Sequence, residues 1–165
     1  MADTKYMTTD LSDAYKGKAR LRYLPPTYRD FGGRTRFHGR AKTLVTFEDN
    51  TKLRAAVEMA GESRVLVVDG GGSMNCALFG GNLAALAAEN GWAGVIINGC
   101  VRDRAELAAE NVGIKALASH PRKSQKRGLG SFDVALRFSG VTVHPDDWIY
   151  ADEDGVIISD TELTS

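Results

Sequence analysis

The sequence predicts an α/β protein with a central parallel strand-helix core and a β-rich C-terminal layer. Two observations carry that expectation. Between residues 41 and 118, apolar β-branched runs alternate with segments of helical period, which implies crossover connections and a parallel sheet. From residue 133 onward, short strand-like runs are separated by turn residues, with no helical segment between them. A third observation bounds both: 165 residues, 43% hydrophobic and 25% charged, suit one domain that buries a core without metal or disulfide staples. Residues 1–165 are therefore read as a single domain, with 1–30 as an N-terminal arm and 31–165 as the core.

Taken in order, the arm is polar, with a short helix expected over 11–15 and a break at Pro25-Pro26. Residues 41–47 are dominated by β-branched and aromatic side chains and read as a strand. Asp49-Asn50-Thr51 reads as a helix start, with Leu53, Ala56, Val57 and Ala60 at helical spacing and Gly61 closing the helix. Residues 65–68 form a continuous apolar run that enters Asp69-Gly70-Gly71-Gly72, the pattern of a buried strand ending in a loop. An Ala/Leu-rich helix over 83–89 stops at Asn90-Gly91, and a second buried strand at 94–97 ends at Asn98-Gly99. A helix over 103–110 and a third strand at 114–118 complete the alternation. Residues 133–138, 141–143, 148–150 and 156–158 read as the short strands of the C-terminal layer.

Charge excludes several classes. Twenty-one Lys and Arg balance twenty-one Asp and Glu, so the basic surplus of a dedicated nucleic-acid binder is lacking, as is the strong net charge of a disordered chain. Apolar runs such as Val65-Leu66-Val67-Val68 are too short to span a bilayer, and the N-terminus carries no secretory apolar region. Cys76 and Cys100 match no zinc or redox spacing, which favours a reducing, cytoplasmic setting. The zero balance nevertheless hides an asymmetry. Lys16 to Lys42 is strongly basic, the segment 143–165 carries seven acids and no Lys or Arg, and a basic knot runs from Arg122 to Arg127. Solvated faces, paired across the fold or between subunits, are the plainer account. Attraction of an anionic substrate or partner is the sharper one.

Two strand ends could carry chemistry, because ligands of parallel sheets bind beyond the carboxyl ends of strands. One is Asp69-Gly70-Gly71-Gly72-Ser73, continuing to Gly80-Gly81-Asn82-Leu83 at a helix start. The other is Asn98-Gly99-Cys100-Val101-Arg102-Asp103, which also opens a helix. Glycines admit close backbone approach and helix N-termini hold anions, although tight turns alone would also explain such clusters. Arg102 offers a planar fork for a carboxylate, and Asp103 offers hard oxygen for a divalent ion such as Mg²⁺. Together with an anion-binding helix start they would form a site for a small α-keto acid. The competing account makes Asp103 a plain N-cap and Arg102 its solvated neighbour. His38, His120 and His144 lack metal-ligand spacing, Cys100 has no assigned base, and Lys115 would need desolvation to act as a Schiff-base amine. Trp92 and Trp148 read as packing residues.

At these residues the chain resembles a known family. The segments 65–72 and 80–83 and the run Gly91-Trp92-Ala93-Gly94-Val95-Ile96-Ile97-Asn98-Gly99-Cys100-Val101-Arg102-Asp103 closely resemble the family named after regulator of ribonuclease activity A, RraA. That family includes class II 4-hydroxy-4-methyl-2-oxoglutarate aldolases. The resemblance runs from Phe31-Gly32-Gly33-Arg34 through Thr46-Phe47-Glu48-Asp49-Asn50 to Tyr150-Ala151-Asp152, nearly the whole chain. It implies a swivelling β/β/α domain assembled as a homotrimer or dimer of trimers, with sites near subunit interfaces. For aldolase members it implies divalent-metal-dependent retro-aldol cleavage of a small α-keto dicarboxylate to two pyruvates, and oxaloacetate decarboxylation through the same pyruvate enolate. By position, Arg102 would bind the pyruvyl oxygens and Asp103 would ligate Mg²⁺ or Mn²⁺. The Gly80, Gly81, Asn82 and Leu83 amides would hold the carboxylate.

One departure stands out. Aldolases of the family carry an acid twenty-one positions before the arginine, where this chain has Gly81. The substitution predicts weaker metal binding or slower proton transfer. The founding members imply a different class of function, a non-catalytic regulator that binds a ribonuclease E-type endonuclease or its helicase partner. The Arg102-Asp103 pair is unnecessary for that role, so its presence favours catalysis. A third reading, a methyltransferase using the Asp69–Gly72 loop, ranks last because the sheet that follows lacks the further strand-helix units such a fold requires.

Overall fold

The computed structural model describes residues 5–164. In chain order the elements are α1 (Thr8–Ala14), β1 (Leu21–Tyr23), β2 (Arg29–Asp30), β3 (Phe37–Val45), α2 (Thr51–Glu58), β4 (Val65–Asp69), β5 (Ala77–Phe79) and α3 (Gly81–Glu89). They continue with β6 (Gly94–Val101), α4 (Arg104–Ala109), β7 (Gly113–Ser119), β8 (Ser131–Phe132), β9 (Leu136–Phe138), β10 (Val141–Val143), β11 (Trp148–Asp152) and β12 (Gly155–Ser159).

The main sheet runs β1-β12-β11-β3-β4-β6-β7-β2, with β5 added to β6 and β8 to β3. Its centre is parallel, as the alternation of strands and helices predicts: β3 pairs with β4, β4 with β6 and β6 with β7. The nine-residue β3 belongs to two neighbourhoods. Its first half pairs antiparallel with β11, from Phe37↔Ala151 to Arg40↔Trp148, and its second half pairs parallel with β4, from Ala41↔Val65 to Val45↔Asp69. The C-terminal strands β11 and β12 therefore extend the parallel core through β3, while β9 and β10 form a separate hairpin.

Side-chain alternation divides the interior into layers. On one face Leu44, Leu66, Val68, Val95, Ile97 and Ile114 meet Leu53, Ala56 and Val57 of α2, Leu83, Ala84 and Ala87 of α3, and Leu107 of α4. On the other, Ala41, Val65, Val67 and Ile96 meet Leu136, Phe138, Val143, Ile149, Ala151 and Ile158 of the β-rich layer. All eight residues of β6 are buried because both faces are covered, which is why the central strands read as continuous apolar runs. Tyr150 and Ile157 point outward from β11 and β12 and are covered by Leu11 of α1 and Leu163.

Several expectations shift. The first helix spans Thr8–Ala14 rather than 11–15, because its start is capped from outside: the buried Asp152 carboxylate accepts the Thr8 amide and hydroxyl, both at 2.7 Å. The strand expected over 41–47 begins at Phe37 and ends at Val45. The run 133–138 is interrupted, since Asp133 adopts φ +57° between β8 and β9. The charge asymmetry is largely answered within the chain. Arg22 pairs with Asp147 at 3.0 Å, Arg36 with Glu153 at 3.0 Å and Arg40 with Asp146 at 3.5 Å, joining the basic N-terminal third to the acidic C-terminal segment.

Candidate functional site

The carboxyl end of β6 delivers Arg102 and Asp103 beside the N-terminus of α3. The Arg102 amide donates to the Phe79 carbonyl at 2.9 Å, continuing the β5–β6 pairing to the site, and its guanidinium lies 3.5 Å from the Pro121 carbonyl. Asp103 takes a left-handed conformation, φ 62° and ψ 49°, which Asp tolerates better than most residues. Its side chain makes no capping bond to α4. Its Oδ2 instead accepts the Gly81 amide of α3 at 3.0 Å. Asp103 is thus a bridge between two helix starts, and the simple N-cap account fails.

Gly80, Gly81, Asn82, Leu83, Arg102 and Asp103 all line one cleft of about 280 Å³. The structure adds Asn50 and Arg54 from α2 and its approach, and Lys123, Ser124 and Lys126 from the loop after β7. Arg54, Arg102, Lys123 and Lys126 outnumber Asp103 among the lining charges, so the field favours an anion with more than one negative group. With the Gly81 amide spent on Asp103, the first-turn amides of Asn82 and Leu83 are the donors that α3 itself leaves without an intrahelical partner. A larger groove of about 380 Å³ lies between α1 and β12, but no Lys or Arg lines it.

Glu106 was not nominated by the sequence. A Cβ placed on Gly81 would fall inside the Glu106 carboxylate, and one on Gly80 would come 2.7 Å from Asp103 Oδ2. Neither glycine has positive φ; what a side chain would meet at these positions is the exposed ends of these two carboxylates, which would have to swing aside. Glu106 lies one turn into α4 from Asp103, on the side facing α3. The signal was an acid three positions after Asp103, which puts both on one helical face. The position beside Gly81 is therefore taken up by the Glu106 carboxylate.

The donor set fits a hard divalent cation. Among the described residues no three His, Cys, Asp or Glu side chains form a ready-made cage. Mg²⁺ and its like are nonetheless commonly held by one or two carboxylates, with water and substrate oxygens completing the shell. Asp103 and Glu106, both against the Gly80–Gly81 segment, match that description.

The other nominated features resolve as structure. Asp69 Oδ1 accepts the Gly71 amide at 2.9 Å and the Asn98 side-chain amide at 3.0 Å, so the glycine-rich loop closes on itself. Lys115 is buried, donating to the Asp152 carbonyl at 2.6 Å and pairing with Asp30 at 3.2 Å. Cys76 and Cys100 are buried free thiols, and burial pushes both up from their ordinary range, away from nucleophilic use. Trp92 is a core residue whose indole donates to the Met59 carbonyl at 3.2 Å. Trp148 packs against the cluster under α1. His120 Nδ1 accepts the Arg122 amide at 3.1 Å, away from the other two histidines.

Known proteins place this geometry in context. A family model described as RraA-like, Aldolase/RraA, matches residues 8–158. A protein of Alkalilimnicola ehrlichii bearing the name "Putative 4-hydroxy-4-methyl-2-oxoglutarate aldolase" is 56% identical over 156 residues, covering 94% of this chain and 96% of its own. The solved RNA-processing inhibitor RraA from Thermus thermophilis superposes with TM-score 0.93 at 47% identity, covering 98% of this chain and 97% of that one. A Geobacillus kaustophilus structure described as an S-adenosylmethionine: 2-dimethylmenaquinone methyltransferase superposes with TM-score 0.91 at 43% identity, covering 95% and 96%.

Proposed function

The chain belongs to the RraA-like family, and on that premise we propose that it is a divalent-metal-dependent carbon–carbon lyase of the pyruvate class. Its activity is that of a 4-hydroxy-4-methyl-2-oxoglutarate aldolase with accompanying oxaloacetate decarboxylation. The observation that carries this reading is the Asp103 carboxylate, turned from its own helix to the Gly81 amide, with Arg102 beside it and Glu106 against the same segment.

Each residue has a part. Arg102 grips the pyruvyl oxygens through its fork, and the Asn82 and Leu83 amides hold the adjoining carboxylate at the positive end of α3. Asp103 and Glu106 would hold Mg²⁺ or Mn²⁺, which when bound supplies Lewis acidity toward the charge developing on the 2-oxo oxygen. Lys123, Lys126 and Arg54 face the second carboxylate of the α-keto dicarboxylate. In retro-aldol cleavage the C3–C4 bond breaks and its electron pair stays on the pyruvyl fragment. The 4-hydroxyl loses its proton as that carbon becomes the carbonyl of the second pyruvate, and C3 of the enolate then takes a proton. Decarboxylation of oxaloacetate leaves the same enolate, with CO₂ as the departing group. The Glu106 carboxylate against Gly81 supports an active site despite the glycine at this position.

Purified protein with Mg²⁺ or Mn²⁺ should release pyruvate from oxaloacetate above the metal-only rate, and Arg102→Ala and Asp103→Ala should each abolish the excess. Equal rates for wild type, both variants and the metal blank would defeat the lyase reading. The likeness to an RNA-processing inhibitor favours a second one, a regulator that binds a ribonuclease E-type endonuclease or its helicase partner, and a pull-down with the endonuclease tests it. We further propose assembly as a homotrimer or dimer of trimers in a reducing, cytoplasmic setting. Two buried free thiols fit that setting, and among the described residues no helix is long and apolar enough to cross a membrane.

A further inference from the structure

The loop after β7 brings Lys123, Ser124 and Lys126 to the cleft wall opposite α3, yet it belongs to no helix and, among named strands, to none. What holds it is a set of bonds to other segments. At one end the Ala77 amide donates to the Arg122 carbonyl at 2.8 Å. At the other, the Gln125 amide donates to the Glu48 carbonyl at 2.9 Å and the Asn50 amide to the Gln125 carbonyl at 3.3 Å. Asp49 lies at the centre of that second attachment, 1% exposed. One carboxylate oxygen accepts the Thr51 amide at 2.9 Å, at the start of α2, and the other accepts the Arg127 amide.

We propose that Asp49 is a positioning residue: its carboxylate latches the strap 122–129 onto the corner between β3 and α2, and so fixes Lys123 and Lys126 as the anion-binding wall of the cleft. The proposal rests on the lyase reading for the identity of the anion, an α-keto dicarboxylate, but not for the latch. The physical case is one of supply and demand. Four basic side chains, Arg122, Lys123, Lys126 and Arg127, crowd six positions and repel one another, so an untethered strap would swing into solvent. A buried carboxylate with two backbone donors is a strong tether, because charge-assisted bonds exceed neutral ones and a buried partner left unmatched is costly. Burial alone would push the Asp49 carboxyl up. The amide and hydroxyl of Thr51 and the amides of Arg127 and Leu129 outweigh it and hold the group below its usual range, so it stays ionised.

Asp49→Asn tests this, since an amide side chain keeps the shape but only one acceptor oxygen for two donors. Hydrogen exchange at the Arg127 and Gln125 amides should quicken about tenfold in the variant. In the oxaloacetate assay KM should rise about tenfold while kcat falls less than threefold, and adding Lys126→Met should raise KM little further. A merely structural role would lower the melting temperature without this KM-against-kcat split or its non-additivity. Unchanged exchange at Arg127 overturns the latch, and faster exchange with unchanged KM overturns the positioning role. If wild type shows no activity above the metal blank, the lyase reading and the KM arm fall together, and the exchange arm alone decides the latch. Should Asp49→Asn not fold, exchange in wild type decides: the Arg127 amide must be protected about tenfold or more relative to an open loop amide, and an unprotected one refutes the latch.

Discussion

Replacing Glu106 by Gln isolates the carboxylate that lies against Gly81 and that the lyase reading assigns to the metal. The change keeps size and removes one charge. Glu106 is exposed, so its attraction for a cation is screened as in water, where two unit charges 4 Å apart interact by about 1 kcal/mol. A divalent ion doubles this to about 2 kcal/mol, or roughly thirtyfold in affinity. The assay is oxaloacetate decarboxylation titrated with Mn²⁺. The metal concentration for half-maximal rate should rise about thirtyfold in Glu106→Gln, with the rate at saturating metal within about threefold of wild type. A companion variant moves the charge rather than deleting it. Gly81→Asp alone should impair the enzyme, because its Cβ would displace the Glu106 carboxylate from the position it now holds beside Asp103. Gly81→Asp combined with Glu106→Ala clears that space and should recover metal affinity to within about fivefold of wild type. If Glu106→Gln leaves the metal titration unmoved, Glu106 is a bystander. If the double variant is worse than both single ones, the two positions do not share a function.

Gly80→Ala would bring a methyl 2.7 Å from Asp103 Oδ2 and 3.2 Å from Arg102 Cγ, so kcat/KM for oxaloacetate should fall about tenfold or more with little change in melting temperature, and an unchanged kcat/KM would refute the tight approach. Tyr28 and Tyr150 are both pushed up to about 12, chiefly by burial, against an ordinary value of 10.0. The folded protein therefore holds protons that the unfolded chain releases, so their contribution is intact below pH 10 and is lost as pH rises toward 12. Urea midpoints measured from pH 9 upward should decline across that window, and a flat profile would show the two hydroxyls are not withheld from water.

The sheet centre was legible in the sequence because burial on both faces leaves a simple trace: Val65-Leu66-Val67-Val68 and Gly94-Val95-Ile96-Ile97 have no polar face to show. The helices between them show period and terminators. The strands β1, β2 and β5 left no such trace. At two or three residues they are too short for any period, and they exist because a neighbouring strand offers an open row of backbone groups. The start of α1 was illegible for a related reason. Its cap, Asp152, lies 144 positions away from Thr8, and no local rule reaches that far.

The site divides along the same line. Arg102-Asp103 and Gly80–Leu83 are each contiguous in sequence, so each suggests its chemistry locally. What makes them a cleft does not. Glu106 reads as an ordinary first-turn acid of a short helix until α3 is packed against α4 and the Gly81 position proves too small for both a side chain and that carboxylate. Asp49 reads as part of a helix start, and it lies one residue before the N-cap Asn50 with one oxygen on the Thr51 amide; the second oxygen, turned to Arg127, belongs to a contact 78 residues away. For Asp49 the local role accounts for the residue completely in sequence, and only its second carboxylate oxygen shows that it is shared. A carboxylate with two oxygens can serve the helix that carries it and a distant segment at once. At Asp49 that double duty ties the strap carrying Lys123 and Lys126 to the start of α2, although the two ends of the contact lie 78 residues apart.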